Sequence, residues 1–86
     1  MLLISDIWLS HRKLRNPAQL CGMIENLEAL PPIILARCED GELQLEDGHH
    51  RLTAYWLSGR DHLYPYEYVL LEKDQWRPRK GKIDGR

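Results

Sequence analysis

An alternating run, Leu43-Gln44-Leu45-Glu46, reaches Asp47-Gly48 and passes without a spacer into His49-His50-Arg51-Leu52-Thr53-Ala54-Tyr55. Leucines alternating with polar residues have the period of a half-buried strand. From His49 to Ser58 the period becomes helical, with Leu52, Tyr55 and Trp56 on one side and Thr53, Ala54 and Leu57 on another. That pattern predicts a central, packed helix. A strand joined to a helix through one glycine must reverse sharply, and Gly48 permits both the bend and the close approach of a ligand. The first-turn N–H groups of such a helix have no internal partner and sit at its positive end, so the junction predicts an anion site. Arg51 adds a planar donor fork suited to phosphate or carboxylate. His49 and His50 can donate, accept or titrate near neutral pH.

The flanks supply the elements that support such a turn. Leu2-Leu3-Ile4 reads as a first strand. Asn16, Pro17 and Gln19 have the order of a helix cap, first helical position and capping box. The helix they predict places Leu20, Met23, Ile24 and Leu27 on one face and stops before Pro31-Pro32. Ile33-Ile34-Leu35-Ala36 reads as a strand buried on both faces, and Asp40-Gly41 carries hairpin-turn chemistry. Residues 33–36 and 43–46 are therefore expected to pair as a hairpin feeding a helix that starts near His49. Gly59 is placed to stop that helix, and Tyr64 to Leu71 reads as a last strand. The fold class expected is α/β in the α+β sense, a small mixed sheet with packed helices.

At 86 residues the chain is sized for one domain, and 43% apolar with 29% charged residues is ordinary for a soluble protein. A net charge of −1 does not advertise nucleic-acid binding. Cys21 and Cys38 have no zinc spacing and read as buried thiols. The N-terminus has no signal-peptide pattern and no window is long enough to span a bilayer, so a cytoplasmic protein with no membrane partner is expected. Beyond Glu72, Lys73, Arg77, Arg79, Lys80, Lys82 and Arg86 outnumber Asp74 and Asp84. The expected division is a domain over 1–71 and a basic, flexible tail over 72–86.

The run Asp47-Gly48-His49-His50-Arg51 followed by Ala54-Tyr55 resembles the signature of the ParB/sulfiredoxin superfamily. Sulfiredoxins carry Gly-Gly-Cys-His-Arg there, and ParB partition proteins carry Gly-Glu-Arg-Arg. Asn16-Pro17-Ala18-Gln19-Leu20 resembles the start of the family's first helix, and Leu30-Pro31-Pro32-Ile33 its entry into the next strand. The resemblance covers roughly residues 1 to 71. It implies a small α/β fold that binds a nucleotide's phosphates, ATP or CTP, at this turn. It also implies an upstream arginine on the nucleotide, which Arg12 or Arg15 could provide. Only Gly48 and Arg51 carry over directly. His49 occupies the position of the sulfiredoxin nucleophile, so a thiol mechanism is not expected.

Three functions follow. The first is nucleotide binding, with Mg²⁺ on Glu46 or Asp47, phosphate held by Gly48, His49, His50 and Arg51, and His49, His50 or Asp47 as catalytic groups for hydrolysis or phosphoryl transfer. The second is a nuclease-like or DNA-associated protein whose basic tail contacts phosphate backbones. The third is a non-catalytic adaptor. A purely structural reading of the turn has Asp47 capping the helix and His50 packing against the sheet. Zinc is not expected at the adjacent histidines, which have no third ligand at a recognisable spacing.

Overall fold

The computed structural model describes residues 1–11, 14, 16–72 and 78–85. They form an α+β domain of two helices and two small sheets. In chain order the elements are β1 (Leu2–Leu3), α1 (Gln19–Glu25), β2 (Ile33–Arg37), β3 (Leu43–Asp47), α2 (His49–Leu57), β4 (His62–Leu63) and β5 (Tyr68–Glu72). No helix among the described residues is long and apolar enough to cross a membrane.

The main sheet has the order β3-β2-β5, with β3 antiparallel and β5 parallel to β2. As the central strand, β2 buries Ile33, Leu35 and Ala36. The 33–36/43–46 hairpin feeding a helix at His49 is present as expected, its loop closed by Cys38 N–H donating to Glu42 O at 2.8 Å. Its pairing slips by one residue, Leu35 opposing Leu45 but Ile34 opposing Asp47. Glu46 is thus the extra residue of a β-bulge, a device that re-aims the side chains beside it. β1 and β4 form a separate antiparallel pair, and Ile4, Ile7, Leu45, Leu52, Tyr55 and Leu63 complete the core.

Several boundaries differ from the sequence expectation. α1 starts at Gln19 without a side-chain cap, because Asn16 is drawn into the preceding loop and only its carbonyl serves the incoming turn. The same helix ends at Glu25 rather than running to the prolines, and Cys21 on it is exposed. β5 begins at Tyr68, not Tyr64. Tyr64 N–H donates to Glu67 Oε1 at 2.8 Å, and that carboxylate also takes Arg60 at 2.6 Å, folding Pro65–Glu67 into a 3₁₀ turn. Gly59 does end α2: its N–H donates to Trp56 O and that of Arg60 to Tyr55 O, the paired bonds of a Schellman cap.

The basic tail makes contacts that composition does not indicate. Residues 73–77 and 86 lie outside the described residues, and 78–85 pack against the domain. Lys82 pairs with Trp8, which itself pairs with Gln44 along the outer edge of β3. Leu9 N–H donates to Gly81 O at 2.8 Å, and Lys80 N–H to Leu9 O at 2.9 Å. Arg79 meets both oxygens of Asp40, at 2.9 and 2.8 Å, and holds that carboxyl below its ordinary pKa. Lys82 lies 4.7 Å from the Trp8 ring centroid, and Ile83 packs against the core. These contacts place Arg79 and Lys82 in the fold.

Gln44, expected on a solvated face, is only 1% exposed, beneath the segment on which this docked strap, 78–85, lies. Trp8 and Ser10 cover it, and its amide is bonded to Ser10 Oγ. Removing residues 78–86 should therefore destabilise the domain by about 1–3 kcal/mol, the scale of part-burying one large aliphatic side chain with its supporting bonds. In a thermal melt this is a fall of roughly 5 °C or more; an unchanged Tm would mean that the docked strap contributes nothing.

Candidate functional site

Gly48 is the N-cap of α2, with φ +103° and ψ 34°. A Cβ there would lie 2.8 Å from Ile33 Cγ2 and 3.1 Å from Arg51 Nε. The glycine is thus required twice, by the left-handed backbone and by contact with the central strand. Gly48 has no side chain with which to cap α2, no acidic residue lies in the first turn, and among the described residues Asp47 bonds Arg51 instead. Asp47 therefore does not cap the helix, as the purely structural reading had it. Leu52 N–H reaches Gly48 O at 2.8 Å, so the preceding N–H groups, those of His49, His50 and Arg51, form the orphan set of the helix start.

A cleft of about 400 Å³ opens over this turn. Residues 46–51 line it together with His11, Gln19 and Met23. Six of the eight residues picked out in the sequence as site candidates, Glu46 to Arg51, are thereby brought together. Arg12 and Arg15 lie outside the described residues.

Arg51 has a different role from the free phosphate fork expected of it. Its Nη1 donates to Pro32 O at 2.9 Å and to Pro31 O at 3.3 Å, while Nη2 meets Asp47 Oδ2 at 3.1 Å. The guanidinium ties the first turn of α2 to the entry of β2 and to the end of β3, and it neutralises Asp47 beside the cleft. Planar, multiply bonded guanidinium is the group suited to such a junction.

The histidines point to two places. His49 Nε2 accepts the Ser10 N–H at 3.3 Å, and His50 Nε2 accepts the Asn16 N–H at 3.2 Å. Adjacent residues thus pin both ends of the segment that carries His11, Arg12, Lys13 and Arg15 in sequence. His50 binds that loop instead of packing against the sheet. His11 stacks on His49 with ring centroids 3.6 Å apart. Ser10, His11 and Asn16 were not singled out as site residues, because nothing local in the sequence marks a backbone N–H as the partner of a histidine 34 or 39 positions away. Among the described residues, no three His, Cys, Asp or Glu side chains come together in a way that could hold a metal ion. Glu46, the bulge residue, and Asp47, paired to Arg51, both border the cleft.

No family model matches the chain, and no curated protein matches it either.

Burial lowers the His49 pKa to about 4, helped by His11 and His50 and opposed by Asp47. An unfolded histidine titrates near 6.5. Between those values the unfolded chain binds a proton that the folded chain does not, so stability is full above about 6.5 and declines as pH falls toward 4. Neutral His49 is also what lets Nε2 accept from Ser10. We expect wild type to lose on the order of 1–2 kcal/mol more than His49→Gln between pH 7 and pH 5. Paired thermal melts would check this; parallel pH profiles for the two proteins would contradict it.

Proposed function

We propose that this chain is a ParB/sulfiredoxin-like nucleotide-binding domain that holds phosphates at the first turn of α2. The observation that carries the reading is the uncapped, glycine-entered start of α2 at the border of a 400 Å³ cleft. Orphan N–H groups at the positive end of a helix favour an anion without further help. His11 and Gln19 add polar groups to the lining of the cleft. Arg51 contributes by building the turn and by cancelling the Asp47 charge, which would otherwise repel phosphate.

Mg²⁺ would enter with the nucleotide, since that ion is commonly held by one or two carboxylates together with substrate phosphates. Glu46 and Asp47 are the carboxylates that border the cleft. The activity proposed is binding. Each Nε2 accepts a backbone N–H, which leaves Nδ1 as the donor nitrogen of both rings. ATP and CTP are the nucleotides to which the motif resemblance points.

The test is a thermal-shift panel of ATP, CTP and GTP with and without Mg²⁺. A specific ligand at a hundred times its Kd adds about 2.7 kcal/mol to stability. His50→Glu is the informative variant. It puts a carboxylate in the first turn, where the dipole favours it but where it competes with phosphate. Loss of one charge-assisted bond, about 1.5–3 kcal/mol, should weaken nucleotide binding roughly ten- to a hundredfold. No shift with any nucleotide, or equal shifts for wild type and His50→Glu, would contradict the proposal.

A further inference from the structure

The cleft over the Gly48 turn has a neighbour. A second cavity of about 270 Å³ shares His11 and His49 with it, so the stacked imidazoles border both. The two differ in chemistry. The first is bordered by carboxylates, a guanidinium and the helix start; the second is lined by Leu9, Leu14 and Ile83, with Thr53 and Lys82 as its polar groups.

A nucleotide has the same division. Its phosphates need N–H donors and cations, whereas its base needs apolar and aromatic walls with a few polar groups to fix orientation. Thr53 Oγ1 donates to His49 O at 2.7 Å, which leaves the hydroxyl oxygen as an acceptor. Lys82 is a donor. The second cavity thus combines aliphatic walls, imidazole rings, one acceptor and one donor beside the phosphate cleft. We infer that it receives the flat heteroaromatic base of the nucleotide, an assignment that rests on the phosphate site proposed above. The docked strap then has a functional part, because Lys82 and Ile83 reach this cavity only when 78–85 lies against Trp8 and Leu9.

Calorimetric titration of the full chain with ATP, CTP and inorganic tripolyphosphate separates the two claims. In wild type at least one nucleotide should bind tenfold or more tightly than tripolyphosphate. Thr53→Phe, which fills the second cavity from the surface of α2, should remove that advantage and leave tripolyphosphate affinity within about twofold. Saturation-transfer NMR on wild type gives a readout that needs no variant: base protons should receive magnetisation at least as strongly as ribose protons. Equal affinity for tripolyphosphate and every nucleotide, base protons that stay silent, or an advantage that survives in a folded Thr53→Phe would overturn the base assignment while the phosphate site stands. If tripolyphosphate and nucleotides all fail to bind, the phosphate reading is wrong and the base assignment goes with it.

Discussion

Gly48 brings the chain from β3 into α2 with so little room that even a methyl group would overlap Ile33. Ile33 is fully buried in the central strand, so the contact cannot relax by moving the neighbour outward. A side chain at this left-handed position would also cost about 1–2 kcal/mol in backbone strain. The tightness sets where the helix begins relative to the sheet. Arg51 then locks the arrangement by joining the carbonyls before β2 to the carboxylate that ends β3. Helix start, strand entry and strand exit become one junction.

The rest of the cleft depends on that junction through the two histidines. With the first turn of α2 fixed, His49 and His50 diverge and take the N–H groups of Ser10 and Asn16. Ser10 is held further by its hydroxyl, which donates to Leu45 O at 2.7 Å. Trp8, two residues earlier, pairs along the edge of β3 and receives the strap 78–85 in turn. An edge that would otherwise present unpaired backbone is thereby covered. Loop, strap and cleft are successive layers on one strand-to-helix turn.

What the sequence made legible was local. The continuous apolar run 33–36, the Asp-Gly loop and the shift from period two to helical period at Gly48 each follow from short-range chemistry, and the hairpin and α2 form where those signals lie. Non-local partners were not legible. The Glu46 bulge depends on how two strands register, and Gln44 is buried only because Trp8 and Ser10 arrive from another part of the chain. Composition misled at the tail, where positive charge reads as solvation until Asp40 and the Trp8 ring are found beneath it. Arg51 has protein partners that the sequence did not mark. Its fork makes the planar, multiple contacts expected, but with protein carbonyls and Asp47.

The central claim is that the orphan N–H groups at the start of α2 bind phosphate, and amide chemical shifts report on them directly. A ¹H–¹⁵N correlation spectrum of the ¹⁵N-labelled protein, titrated with tripolyphosphate, should show saturable downfield proton shifts concentrated at His49, His50 and Arg51. Amides that stay fixed at those three residues while the ligand saturates elsewhere, or a spectrum unchanged throughout the titration, would contradict the account.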